Sequence, residues 1–155
     1  MKAKVISALN KQINSELYSA YLYLSMSAYF ESKELKGMSH WMKRQADEEI
    51  EHAMKLYDYL ADRARVILTP IKAPPIEWAS PLAVFKSAYS HEVAVTGLIN
   101  NLVKMTKAES DQETKDFLQW YVEEQIEEEE SADRVVQELK NNKDISRIDN
   151  ELSKR

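Results

Sequence analysis

Residues 48–52, EEIEH, put three carboxylates and one imidazole into five positions. Glu49 and His52 are three apart, so on a helix they share a face. On a solvated face the pair means nothing. On a core face it is a buried acid beside a buried imidazole, and each needs a partner. The wider spacing favours the core face. Glu16 to Glu49 is 33 residues, Glu92 to Gln125 is again 33, and each second segment places a further donor three residues on, His52 or Glu128. The two halves therefore align at an offset of 76, which sets Ile6 on Leu82, Leu9 on Phe85, Ile13 on Tyr89, Trp41 on Phe117, Met42 on Leu118, Glu48 on Glu124 and Glu51 on Glu127. Matching apolar positions and matching acids mark an internal repeat.

The acids interrupt apolar stripes at helical spacing. One stripe reads Leu9, Ile13, Glu16, Ala20, Tyr23, Phe30 and the next Trp41, Gln45, Glu49, His52, Leu56, Tyr59. The third reads Phe85, Tyr89, Glu92, Thr96, Ile99, Val103, and the fourth Phe117, Tyr121, Glu124 or Gln125, Glu128, Val135, Leu139. Each acid falls near the middle of its segment. Middles coincide whichever way neighbouring helices run, so these side chains converge. One like-charge pair at ~4 Å costs about 4 kcal/mol at an effective dielectric of 20. Protons or cations must compensate such a cluster. Oxygen donors with one imidazole suit hard or borderline divalent ions. One Glu on each of two helices, with Glu-x-x-His-like pairs on two others, suits two bridged ions. Glu51 is expected to face outward.

The elements that must hold this arrangement are four long helices. The first is expected from about Lys4 to Lys33, with Ile6, Leu9, Ile13, Leu17, Ala20, Leu24 and Phe30 on its apolar positions. Gly37 precedes a second, about Met38 to Arg65. Residues 66–80 carry three of the four prolines and cannot be helical throughout. Ser80-Pro81 opens a third helix, which continues to about Glu109. Ser110 or Asp111 caps a fourth, to about Lys140. A short last helix uses Ile145, Ile148 and Leu152. Helices of ~28 residues are ~42 Å long. Short links join the first pair and the last pair, so each is an antiparallel hairpin, and the longer middle link suits one crossover along a bundle. The fold class is therefore all-α: a four-helix bundle with one long crossover and a short fifth helix. The stretch YSAYLYLSMSAYF, residues 18–30, is apolar or small almost all round. A lone bundle needs one apolar stripe per helix, so Tyr18, Leu22, Ser25 and Tyr29 are expected to meet another subunit.

Composition narrows the function classes. The 155 residues fit one domain, and two glycines and four prolines favour long helices over strands and turns. No cysteine is present, which excludes disulfides, thiolate zinc sites, iron–sulfur clusters and thiol catalysis. The absence of a leader and of any long apolar run predicts a cytoplasmic protein without membrane contact. A net charge of −5 argues against nucleic acid and is compatible with cation handling.

At these residues the chain resembles the prokaryotic non-haem ferritins. The resemblance is carried by NSELYSAYLYLSM around Glu16, ADEEIEHAMK around Glu49 and His52, YSHEVAVT around Glu92, FLQWYVEEQIEEEE in the fourth helix, and DNELS at the end. It implies a ferritin-like bundle that assembles as a homo-oligomer, a shell of 24 subunits. It implies ferroxidase chemistry, the oxidation of Fe(II) by dioxygen or hydrogen peroxide at an intrasubunit dinuclear centre, with Fe(III) stored as mineral. By motif, Glu16, Glu49 and His52 would form the first iron site, and Glu49 would bridge to a second that adds Glu92 and Glu128. Gln125 would orient a ligand or oxidant. Glu48, Glu124 and Glu127, with Glu128, resemble a third iron site. Tyr23 would be the nearby redox-active tyrosine, with Trp120 as its companion.

Ile50 stands where bacterioferritins place a haem-binding methionine, so no haem is expected. Bacterioferritins, di-iron oxygenases and rubrerythrins carry His at the Glu128 position, and rubrerythrins add a Cys-rich module that this chain lacks. The small DNA-protecting cages place their iron between subunits. Three features depart from the pattern: DRARV at residues 62–66 lacks the glycines many relatives have, Gly97 interrupts the third helix, and the segment around Ile145 is short and polar. Glu123, Glu129 and Glu130 read as a solvated charge run, and His40 and His91 as surface residues. Two other functions fit the same residues: a ferritin-like di-iron peroxidase or oxygenase without storage, and a metal-free helical scaffold.

Overall fold

The computed structural model describes residues 1–155. Its helices are α1 (Ala3–Ser32), α2 (Lys36–Ala61), α3 (Pro81–Ala108), α4 (Gln112–Asn141) and α5 (Ile145–Leu152). α1 pairs with α2, α3 with α4, and α1 also packs on α3. This is the expected bundle. No helix is long and apolar enough to cross a membrane.

Both hairpins turn without glycine. Glu34 and Ser110 take the left-handed conformation, with φ of 60° and 56°. Each follows a helix end of the same build. Leu35 N–H donates to Phe30 O at 3.0 Å and Asp111 N–H to Thr106 O at 2.8 Å, so the turn closes by a six-to-one bond. Glu34 and Ser110 are themselves 76 residues apart, so the internal repeat extends into its turns. A non-glycine residue here costs about 1 kcal/mol; the sparse glycine count reflects turns built with polar residues instead.

The two halves differ in how the next helix is capped. Asp111 Oδ1 accepts from Thr114 N at 3.0 Å and caps α4 from its own chain neighbourhood. The equivalent residue of the first half is Leu35, which has no side-chain oxygen to offer. Its place is taken from α5: Asp149 Oδ1 accepts from Met38 N at 2.7 Å. Gly37 permits this approach, because a Cβ there would lie 1.7 Å from the Asp149 carbonyl oxygen. Ile148 is buried in the same region. α5 is therefore fastened to the start of α2 by a cap, a glycine contact and an apolar anchor.

α2 ends at Ala61, four residues before the expected Arg65, and the crossover occupies residues 62–80. It runs beside α1, in the same direction. Asn10 donates to Arg65 O and accepts from Ile67 N. Asn14 Nδ2 reaches Thr69 O at 3.1 Å and Pro70 O at 3.2 Å. Ser25 Oγ donates to Pro75 O. An extended strap has no sheet to satisfy its carbonyls, and α1 supplies polar side chains at intervals to do so.

The strap corrects the expected subunit-contact stripe. Leu22 and Tyr29 are buried within the chain. Tyr18 lies under Lys72, Ser25 under Pro75, and Tyr29 packs on Trp78 with ring centroids 5.5 Å apart. A reading of α1 alone could not see that its own crossover covers this side. The apolar residues of α1 left uncovered are Tyr21, 50% exposed, and Leu24, 48% exposed. They line a groove with Leu17, Ala20, Ile50 and Ile71.

The core consists of two apolar clusters. One holds Leu22, Tyr23, Met26 and Phe30 of α1 with Met38, Trp41, Met42, Phe85, Ala88 and Val135. The other holds Val5, Leu9 and Ile13 with Leu56, Leu60, Val95, Ile99, Leu118 and Tyr121. On every long helix the buried acids fall between residues of the two clusters.

Candidate metal centre

Between the clusters lies a layer of buried polar side chains: Gln12, Glu16, Gln45, Glu49, His52, Glu92, Gln125 and Glu128. α1 contributes Glu16, α2 contributes Glu49 and His52, α3 contributes Glu92, and α4 contributes Gln125 and Glu128. Glu16 and Glu92 are each 1% exposed and Glu49 is 2% exposed. Packing of apolar neighbours above and below draws these acids inward, since each shares its helix face with core residues.

The donor atoms form overlapping sets, within each of which they lie no more than 4.8 Å apart. These are Glu16, Glu49 and His52; Glu49, Glu92 and Glu128; and His52, Glu124 and Glu128. Glu49 belongs to the first two, which is where a bridging carboxylate must stand. His52 Nδ1 lies 3.2 Å from Glu49 Oε2 and Nε2 lies 3.2 Å from Glu124 Oε2. The half-buried Glu124 thus stands at the edge of the layer. Glu127 is exposed, and Glu48 is paired with Arg155 at 2.9 Å; neither joins these sets. Gln125 also stays outside them. Its Nε2 donates to Glu92 Oε2 at 3.3 Å and to Glu92 O at 3.2 Å, so it orients Glu92.

Sequence reasoning left several positioning residues without a role. Gln12 Nε2 donates to Glu16 Oε1 at 3.2 Å and Gln45 Nε2 to Glu49 Oε1 at 3.1 Å, each from four residues upstream. Gln12 and Gln45 are 33 residues apart, like the acids they serve, and that shared spacing was the available signal. Gln45 also donates to Glu128 Oε2. Tyr121 Oη donates to His52 O at 2.6 Å, tying α4 to α2 beside the imidazole. Tyr23 Oη donates to Glu92 Oε1 at 2.8 Å. The Trp120 ring meets the His52 ring edge-on at 5.4 Å, away from Tyr23. His91, read as a surface residue, is largely covered: its Nε2 lies 2.7 Å from Ser19 Oγ. Burial first, and Lys72 second, push it down to about 4, so it is neutral at pH 7.

The electrostatics of the layer are those of crowded carboxyls. Burial, and then Glu49, raise Glu16 well above the usual carboxylate range. Burial, Glu92 and Glu128 do the same to Glu49. Glu92 is pushed up to about 7, chiefly by burial, with Glu16 adding and the bonds from Tyr23 and Gln125 opposing. Glu128 is pushed up to about 8 by burial and then by Glu92. Burial also keeps the Tyr23 phenol protonated. Glu16 Oε2 is buried with no hydrogen-bond partner. Leaving such an oxygen unsatisfied costs about 1–3 kcal/mol, and a cation held with Glu49 and His52 would satisfy it. Divalent ions such as Fe(II), Mn(II) or Zn(II) fit this donor set.

A pH dependence follows. The folded metal-free chain holds protons that the unfolded chain releases above pH ~4.5. Its stability should therefore fall as pH rises from about 5 to about 8. Each unit of displacement is worth about 1.4 kcal/mol. A divalent ion replaces those protons, so its stabilising effect should grow over the same interval. Urea unfolding at several pH values, with chelator and then with Zn(II), checks both slopes. A flat metal-free profile would contradict the crowding.

The comparisons with known proteins agree with this architecture. A family model described as a ferritin-like domain matches residues 6–142. The chain is 41% identical to a bacterial non-heme ferritin of Bacteroides fragilis, covering 98% of each chain. It is 36% identical to that of Escherichia coli, covering 99% of this chain and 96% of the other. Among solved structures, an open pore ferritin from the hyperthermophilic archaeon Archaeoglobus fulgidus superposes with a TM-score of 0.98 at 49% identity, over 100% of this chain and 98% of that one.

Proposed function

The chain belongs to the ferritin family, and on that premise we propose that it is a cytoplasmic iron-storage subunit with ferroxidase activity. Fe(II) is its substrate and Fe(III) mineral its stored product. The observation that carries this reading is the double membership of Glu49, whose carboxylate is shared by two donor sets in a buried layer.

Glu16, Glu49 and His52 bind one Fe(II), and Glu49, Glu92 and Glu128 bind the other. The incoming ions displace the protons that burial keeps on these carboxyls. Each Fe(II) gives one electron to dioxygen or hydrogen peroxide, and the anionic oxygens favour the ferric ions that result. Tyr23 holds Glu92 in place by its hydrogen bond. It is also the redox-active tyrosine of this reading. Gln125 fixes the other oxygen of Glu92. Glu124 and Glu128, with Glu127 outside them, form the exit side and a third iron site. Glu48 joins that site only when released from Arg155. The product moves from there to the cavity of a homo-oligomeric shell of 24 subunits.

The decisive experiment is native mass combined with iron content after aerobic Fe(II) addition. A shell that loads far more than two iron ions per chain is the expected result. A loading that stops at two per chain would identify a di-iron peroxidase or oxygenase instead. No binding at all would leave a metal-free scaffold.

A further inference from the structure

Arg155 reaches from beyond α5 to the edge of the buried layer. Its guanidinium lies over the Trp41 ring, 4.2 Å from the centroid. Nη1 donates to Trp41 O at 3.0 Å. Nη2 donates to Gln45 Oε1 at 2.7 Å and to Glu48 Oε2 at 2.9 Å. The side chain is only partly exposed. Gln45 is 1% exposed, and its other end faces Glu49 and Glu128.

The chemistry of an amide gives this contact a direction. Gln45 can present either its oxygen or its NH2 to the buried acids. A guanidinium has donors only and stays charged at any accessible pH. Bound to Arg155, the Gln45 oxygen must point outward, so the NH2 must point inward. It then donates to one oxygen of Glu49 and one of Glu128, the bridging acid and a terminal acid of the same donor set. Flipped, the amide would set its oxygen against both acids once they are ionised to hold an ion, and would then hold neither.

We propose that Arg155 is a positioning residue for the metal centre, acting through Gln45 to orient Glu49 and Glu128 for the ion they share with Glu92. This rests on the two-ion reading above. α5 becomes part of the centre's support: the Asp149 cap, the Gly37 contact and Ile148 hold the segment that delivers the guanidinium. Lysine cannot substitute, because one ammonium on a flexible stem does not reproduce a planar fork stacked on an indole.

The test is anaerobic titration of Fe(II), and of redox-inert Zn(II), into the intact assembly. Wild type should bind two ions per chain in the buried layer, ahead of any at the third site. Arg155→Met and Arg155→Lys should each weaken one of the two by about tenfold, the lower end of what hydrogen-bond partners of metal ligands contribute. The other ion should change much less. Co(II) absorption should change in the same variants, with shell mass unaltered. In a Gln45→Leu background, Arg155→Met should have no further effect, since the route is already cut. Unchanged affinities in Arg155→Met would overturn the proposal even if its melting temperature fell. Full rescue by lysine would overturn it in favour of simple charge. A second, additive loss in the Gln45→Leu background would overturn it too. If Gln45→Leu does not fold, the single Arg155 variants still decide. Failure of wild type to bind any ion is a separate result, which removes the two-ion reading and this inference with it.

Discussion

Replacing Glu49 by glutamine should abolish rapid Fe(II) oxidation and, at the same time, make the metal-free protein more stable. The two effects have one cause. Glu49 is buried among Glu16, Glu92 and Glu128, and burial, Glu92 and Glu128 oppose its ionisation. A neutral amide of the same shape keeps the packing and the bond from Gln45 while removing that opposition. At pH 7 the folded metal-free chain must keep Glu49 protonated while the unfolded chain need not, and the amide removes that cost, about 1.4 kcal/mol for each unit by which burial raises the group, or a few degrees in melting temperature per unit for a chain of this length. The same change removes the only carboxylate shared by both ion-binding sets. Losing a ligand's hydrogen-bond partner already costs about 10–100-fold, so losing the shared ligand itself should slow oxidation at least about 100-fold. Calorimetry of the chelated protein and stopped-flow oxidation check the pair. A variant that melts lower, or that oxidises Fe(II) within about tenfold of wild type, would contradict the assignment.

A second large effect is expected at the uncovered face of α1 and α2. Tyr21, Leu24, Ile50, Met54 and Ile71 are all more than a third exposed. On the shell-subunit reading, an apolar set of this kind is expected to form an interface. Leu24→Arg should leave the helices intact but reduce the native mass from a shell to small species. In a symmetric contact the introduced charge occurs twice and buries without a partner, which costs several kcal/mol per contact. Two ions should still bind each chain, because Leu24 is 48% exposed whereas the acids of the polar layer are buried. Storage beyond those two should disappear. An intact shell in this variant would show that the contact lies elsewhere.

The buried polar layer was legible in the sequence because it is written twice. The 33-residue spacing within each half and the 76-residue offset between halves locate Glu16, Glu49, His52, Glu92 and Glu128 before any packing is known. The helices follow from the same periodicity, and their ends came within four residues of those observed. What the sequence hid depends on contacts between distant segments. The crossover covers Tyr18, Ser25 and Tyr29, and nothing in residues 66–80 says on which side of α1 it lies. His91 looked like an exposed histidine beside an acid, yet Ser19, Tyr18 and Tyr23 enclose it. Glu48 and Glu124 are equivalent in the repeat, but α5 exists only once. It brings Arg155 to Glu48, while Glu124 turns to His52. Gly97 has open space where its side chain would be, and nothing in the structure explains it.

On this reading the layer between the two apolar clusters holds a pair of ferrous ions. Anaerobic soaking of crystals with ferrous salt, with anomalous scattering at the iron edge, tests it most directly. Two peaks should appear, one among Glu16, Glu49 and His52 and one among Glu49, Glu92 and Glu128, with Glu49 touching both. An empty layer, or iron found only on surface acids, would contradict it.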